Sequence, residues 1–267
     1  MVKVSHELPN NKLNMSKEIN DYEYCLPHLM DDKGDWEDIY RDHFLQAKKD
    51  GRYIIMDNSL HELGEAYAED RLRHWIYVLE PDEFIVPDVW QDKNQTLVNA
   101  KRWSKIELPE GVTKVAVVQA NNYSEAIECY AILSTHHGYN KIAFSYGANW
   151  YTEEMFPHPN SLVGKMMGRI LTISNMYKDG MIRKSDRIHL LGCALPQEFS
   201  YYKDFPFIES IDTSNPIIHG LKGIKYKHYG LLTKDTTKID TLEETELTSD
   251  VLYKINYNLT KFKQFLK

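Results

Sequence analysis

Tyr53-Ile54-Ile55-Met56-Asp57-Asn58-Ser59 is an apolar run that stops at a carboxylate, and a helix-length amphipathic stretch follows it from about Glu62 to Leu79. The same pattern recurs on both sides. Downstream, Glu83-Phe84-Ile85-Val86-Pro87-Asp88 precedes a helical pattern from Thr96 to Ile106. Lys114-Val115-Ala116-Val117-Val118-Gln119 precedes another, which starts at Ser124 as its cap. A strand as continuously apolar as 114–119 is buried on both faces, as in parallel sheets covered by helices. Lys141-Ile142-Ala143-Phe144-Ser145 is followed by a helix over Val163–Tyr177 that ends at Asp179-Gly180. Arg187 to Gly192 is followed by a short helix over Gln197–Tyr202, and Phe207 to Asp212 forms the seventh strand. Upstream, a strand over Tyr24–Leu29 and a helix over Trp36–Lys49 open the series. Ile224–His228 is a candidate closing strand, and Ser249–Leu266 is the last helix.

Strand alternating with helix implies parallel pairing through right-handed crossovers. Seven or eight such units in 267 residues predict an α/β fold, a (β/α)8 TIM-type barrel in one domain over residues 21–267, with residues 1–20 as an N-terminal extension. Neither standard glycine-rich phosphate loop is present, which removes the main reason to prefer an open dinucleotide-binding sheet.

Composition narrows the function classes. No run of about 18 apolar residues exists and the first twenty residues lack an apolar signal core, so no membrane partner and a cytoplasmic location are expected. Cys25, Cys129 and Cys193 are far apart and free of CxxC spacing, which predicts buried thiols with neither a disulfide framework nor a metal site. His136-His137 lacks a ligand-spaced partner as well. The net charge of −7 weighs against nucleic acid, yet the segment from Thr213 to Lys234 has four lysines and no acid.

Active sites of parallel barrels lie at the C-terminal strand ends. There the polar residues are Asp57, Asp88, Gln119, Ser145 and Asp212, each closing an apolar run. One such carboxylate is readily a helix cap. Three carboxylates and an amide at equivalent positions point to a site. Two carboxylates suit displacement at an anomeric carbon, one attacking and the other moving the proton. Asp88 and Gln119 complement the edge of a guanine-like base, which offers ring N–H and amino donors beside a carbonyl acceptor.

In these segments the chain resembles the tRNA-guanine transglycosylase superfamily, and more narrowly the small phage-type members that place 7-deazaguanines into DNA, the DpdA group. The likeness runs from about Tyr53 to Pro216. Asp57-Asn58-Ser59 resembles the family's Asp-Ser-Gly-Gly, Asp88 its base-reading Asp, and Val118-Gln119-Ala120-Asn121 its Val-Gln-Gly-Gly. Phe144-Ser145-Tyr146-Gly147 is similar to the segment that holds the base carbonyl. Leu190-Leu191-Gly192-Cys193-Ala194-Leu195-Pro196 is similar to Leu-Met-Gly-Val-Gly-Thr-Pro, and Ile208 to Ser214 to the nucleophile strand.

The resemblance implies Asp212 as nucleophile and Asp57 as general acid/base. Asp88, Gln119, Ser145, Tyr146, Leu191 and Gly192 would hold the base, and no cofactor or metal would be needed. The tRNA-acting members end in a Cys-rich zinc site, whereas this chain has no Cys after Cys193, and its glycines after Asp57 and Gln119 are replaced. The expected activity is therefore exchange of guanine in DNA for a 7-deazaguanine, with tRNA as the alternative substrate. A non-catalytic nucleic-acid-binding partner subunit and a sugar or nucleoside hydrolase are the rivals. Lys222, Lys225 and Lys227 with Tyr226 form the expected phosphate and base platform. Trp90 and Trp150, just past strand ends, are candidate stacking residues.

Overall fold

A computed structural model describes residues 2–31 and 37–267. In chain order its main elements begin with β1 (Lys3–Ser5), α1 (Ser16–Ile19), β2 (Glu23–Cys25), α2 (Glu37–Lys49) and β3 (Ile54–Met56). They continue with α3 (Leu60–Leu63), α4 (Glu69–Leu79), β4 (Glu83–Ile85), α5 (Lys93–Ser104), β5 (Thr113–Val118) and α6 (Tyr123–Ala131). The last are β6 (Lys141–Ser145), α7 (Ser161–Lys178), β7 (Arg187–Leu191), β8 (Ile208–Asp212), α8 (Asn215–Leu221) and α9 (Ser249–Phe265). The strands follow the order β1-β8-β7-β6-β5-β4-β3-β2, which is the strand order of the (β/α)8 TIM-type class. Two compact units make up the chain, residues 22–144 and residues 1–21 with 145–267.

In the unit of residues 22–144, β2, β3, β4, β5 and β6 pair in parallel succession. Every residue of β3 and β4 is buried, the apolar ones as their runs require and Glu83 through an ion pair. Phe84 of β4 is fully buried and its ring centroid lies 5.1 Å from that of Trp103 on α5. Burial of a side chain of that size stabilises the fold by about 3 kcal/mol. Helices α5 and α6 are capped by Asp92 and Asn122, whose side chains accept from Gln95 N–H and Glu125 N–H at 2.9 Å. Such caps contribute about 1 kcal/mol each. The expected cap Ser124 is instead inside α6.

This unit also keeps charge at its strand starts. Lys141, the first residue of β6, donates to Glu83, the first of β4, at 2.5 Å, with both side chains buried. At the start of β2, Glu23 accepts from Arg52 at 2.9 Å. These buried ions are compensated by pairing, as an isolated one would not be.

In the other unit β8 sits between β1 and β7, parallel to both, with Lys3 opposite Ser210, Val4 opposite Ile211 and Ser5 opposite Asp212. Helices α8 and α9 pack together: a methyl group on Gly220 would lie 2.5 Å from Ile255, so only glycine allows that approach. Asn160 and Thr248 cap α7 and α9.

Several expectations change. Residues 1–20 do not stand outside the sheet as an extension, because β1 hydrogen-bonds to β8. The eighth strand is therefore β1, and Ile224–His228 forms only an isolated bridge between Lys227 and Gly230. The strands ending at Asp57, Asp88, Gln119 and Asp212 are accordingly the third, fourth, fifth and eighth. The helix expected over Glu62–Leu79 breaks into α3 and α4 at Gly64, whose φ of 80° ends the first piece. Helix α8 was not expected at all. Trp36, the expected first residue of α2, lies outside the described residues. Among the described residues no helix is long and apolar enough to cross a membrane, and the three cysteines are buried and free.

Candidate active site

Asp57 directly follows β3, and its N–H continues the ladder by donating to Cys25 O at 2.8 Å. Its carboxylate is buried, with Oδ1 accepting from the Tyr24 hydroxyl at 2.9 Å and Oδ2 from Ser59 N–H at 2.9 Å. Ser59 has φ 60° and ψ 20°, the left-handed conformation that costs a side chain about 1–2 kcal/mol and glycine nothing. Its hydroxyl meets His28 Nδ1 at 2.8 Å, which fixes that turn from a second side.

Asp88, three residues beyond β4, is joined to the expected Gln119 and to Asn58, which was not expected. The Asn58 amide donates to its Oδ1 and the Gln119 amide to its Oδ2, each at 2.6 Å. Burial pushes the Asp88 carboxyl above its ordinary pKa, while the Gln119 and Asn58 donors pull the other way. Gln119, the residue after β5, also accepts from Gln91 N–H at 2.9 Å. Its amide is thereby oriented with the oxygen toward Gln91 and the nitrogen toward Asp88. Each Asp88 oxygen has a second lone pair, so a base N–H has an acceptor left to use. These contacts lie within residues 22–144.

Asp212 closes β8 in the other unit. Gly192 N–H lies 3.3 Å from its Oδ1 and 3.2 Å from its Oδ2, and Oδ1 also faces His189 Nε2 at 3.1 Å. An ionised carboxylate only accepts, so Nε2 bears the hydrogen. The other ring nitrogen, Nδ1, lies 2.8 Å from the Ser210 hydroxyl. Period two along β8 places Ser210 and Asp212 on one face, and His189 of β7 stands opposite Ser210 in the register. The three buried side chains form a hydrogen-bonded row. Sequence reasoning missed His189 because it weighed only strand ends. The signal was present: a lone imidazole inside the apolar run Ile188-His189-Leu190-Leu191, two residues before the strand's end.

Leu191 and Gly192 follow as a pinned turn. The Arg169 guanidinium donates to Leu191 O at 2.9 Å and to Gly192 O at 3.0 Å, and pairs with Glu198 at 2.6 Å. Arg169 and Glu198 are both buried, and the Tyr202 hydroxyl adds a bond to Glu198 at 2.9 Å. Gly192 has φ 62°, and a Cβ there would lie 2.5 Å from the Tyr146 ring. Tyr146 N–H in turn donates to Leu191 O at 3.1 Å. Ser145, the last residue of β6, has its hydroxyl 3.4 Å from Gly147 N–H.

The expected lysine platform is differently built. Tyr226 is 1% exposed and its hydroxyl bonds Asn215, so its ring packs inside the unit and offers no face to a base. Lys222 is paired with Asp235 at 2.7 Å, Lys225 lies over the rings of Tyr253 and Tyr257, and Lys227 over Tyr229. Trp150 is buried, whereas Trp90 is 41% exposed.

No protein-family model matches the chain, and no curated protein matches it.

Proposed function

We propose that the protein exchanges guanine in DNA for a 7-deazaguanine through a covalent ester on Asp212. The observation that carries this is the setting of Asp212. A buried strand-end carboxylate is held by Gly192 N–H and His189 Nε2, and Asp88, Gln119 and Asn58 form a preset array of amide and carboxylate groups. Further support comes from Ser59, whose left-handed backbone falls where the resembled family has glycine. Of the two Asp212 oxygens, Oδ1 carries both the histidine and the glycine contact, and Oδ2 the glycine contact alone. Oδ2 is therefore the less stabilised and the better nucleophile.

In the proposed reaction Asp212 Oδ2 attacks C1′ of the target deoxyguanosine. The bond from C1′ to N9 breaks with its electron pair passing to guanine, which takes a proton from the Asp57 carboxylic acid. The incoming base then returns its ring proton to the Asp57 carboxylate and attacks C1′, expelling Asp212. Two inversions give retention, and the glycosidic linkage made replaces the one broken. The target nucleotide must leave its stack, as for other base-modifying enzymes.

The test is a trapping assay with radiolabelled DNA or tRNA, read as an adduct that survives denaturing electrophoresis. The wild-type protein should form it on DNA; Asp212→Asn should form none; Asp57→Ala should hold the adduct or turn it over at least tenfold more slowly. Exchange of labelled guanine by Asp212→Asn at the wild-type rate would overturn the assignment. An adduct on tRNA and not on DNA would move the substrate to tRNA.

A further inference from the structure

We propose that Lys165 and Lys234 together form a phosphate site beside Asp212, which takes a phosphodiester of the nucleic-acid backbone; this rests on the transglycosylase reading for its substrate but not for its chemistry. In the sequence's basic segment Lys222 is paired with Asp235, and Lys225, Lys227 and Lys234 each lie over a tyrosine ring. What distinguishes Lys234 is which ring it covers. Its ammonium stands 3.7 Å above the centroid of the Tyr146 ring. That ring lies against Gly192, and Gly192 N–H reaches both oxygens of Asp212. Three successive contacts thus connect the ammonium to the candidate nucleophile.

The segment bearing Lys234 is fixed in place. Gln197 bonds both polar groups of the Leu231 peptide, donating to its oxygen at 2.6 Å and accepting from its N–H at 3.0 Å. Asn160, the cap of α7, donates to Leu232 O at 2.8 Å. Lys165 follows on the second turn of α7, and the charges of Lys165 and Lys234 act on each other. Both side chains are half-buried. Among the described residues neither ammonium meets a carboxylate: the neighbouring acid, Asp235, is turned to Lys222. Burial first, and Lys234 second, hold the Lys165 amine below its ordinary pKa.

Two half-buried like charges held near each other without a counter-ion raise the energy of the free protein. An anion bound between them relieves that repulsion. A phosphodiester fits because lysines grip phosphate as point charges and need no planar partner. The sugar that Asp212 would attack carries such groups on both sides.

Binding is measurable without chemistry, by fluorescence anisotropy of a labelled guanine-containing single-stranded DNA with the full chain over a range of salt. Lys165→Ala and Lys234→Ala should each weaken binding about tenfold. Each should also lower the slope of log affinity against log salt by about 0.7. Lys165→Arg and Lys234→Arg keep the charge and should bind within about threefold of wild type. Lys178→Ala, at the far end of the same helix, should bind as wild type. Thermal melts identify any variant that fails to fold, and Lys165→Gln and Lys234→Gln then replace the alanines.

Unchanged affinity and slope in folded alanine or glutamine variants would overturn the site. So would loss of binding on Lys225→Ala or Lys227→Ala with none on the first pair. Competition by inorganic phosphate separates the sources of the anion: a protein that binds phosphate through these lysines but not the DNA takes a free phosphate, which overturns the backbone contact. If DNA binds through Lys165 and Lys234 yet Asp212 forms no adduct, the phosphate site stands and the transglycosylase reading falls. If the adduct forms with unaltered binding in the variants, the reverse holds.

Discussion

At the scale of single residues, the chain places an imidazole beside the strand-end carboxylate of Asp212. His189 Nε2 lies 3.1 Å from Asp212 Oδ1, whose carboxylate takes the Nε2 hydrogen, and the Ser210 hydroxyl meets Nδ1 on the other side of the ring. If that row positions Asp212, His189→Ala should slow adduct formation by at least tenfold in single-turnover measurements, on the scale of a lost charge-assisted hydrogen bond. His189→Gln, which restores an N–H donor, should recover part of the rate. A structural role alone would lower the melting temperature of both variants and leave the rate of the folded fraction unchanged.

The residues legible in the sequence were the ones that interrupt hydrophobicity at a strand's end: Asp57, Asp88, Gln119 and Asp212 all fall at or just past a strand end. Asn58 was legible only as part of the segment Asp57-Asn58-Ser59, with no role of its own. Its amide-to-Asp88 bond depends on a contact across 30 residues, which no local pattern encodes. Tyr226 was misjudged because a tyrosine among lysines reads alike whether its ring faces water or, as here, the interior.

At the scale of elements, the apolar runs announced β3, β5, β6, β7 and β8 within a residue or two, and β2 and β4 with their ends placed three or four residues too late, because continuous burial leaves a signal that survives tertiary context. Strand β1 left none: it has three residues, of which Val4 alone is a buried apolar one, too few to show a period. The turn after β7 depends on an ion pair from outside it. Arg169 holds Leu191 O and Gly192 O, and Glu198 holds Arg169. Arg169→Met should cost about 3–5 kcal/mol in urea denaturation, because it leaves a buried carboxylate without its counter-charge. Arg169→Met combined with Glu198→Gln should recover most of that loss. Additive costs in the two single and double variants would show that the pair is not coupled.

At the scale of the whole molecule, acid should act through buried histidine. Burial holds His6 at about 3, against a backbone contact from Thr213 that raises it and with the charge of Lys263 lowering it further. The folded protein therefore keeps His6 neutral while the unfolded chain protonates it near 6.5. Between those values the unfolded state binds the extra proton. The His6 contribution is thus fully favourable above about pH 6.5 and is lost as pH falls toward 3, by about 1.4 kcal/mol per pH unit. His6→Leu should flatten that limb in urea titrations taken at successive pH values. An acid limb as steep as wild type would place the titrating group elsewhere. Asp88 contributes with the opposite sign, since its raised pKa costs stability as pH rises above the ordinary carboxyl range.

The pairing of β1 with β8 also has a consequence in time. Residues 22–144 are contiguous, so on the ribosome everything that unit needs emerges in one stretch. Val4, by contrast, finds its partner Ile211 only after some two hundred further residues have left the exit tunnel. The strand that carries Asp212 is therefore flanked on one side by chain made long before it, and this unit cannot close until β8 itself has emerged.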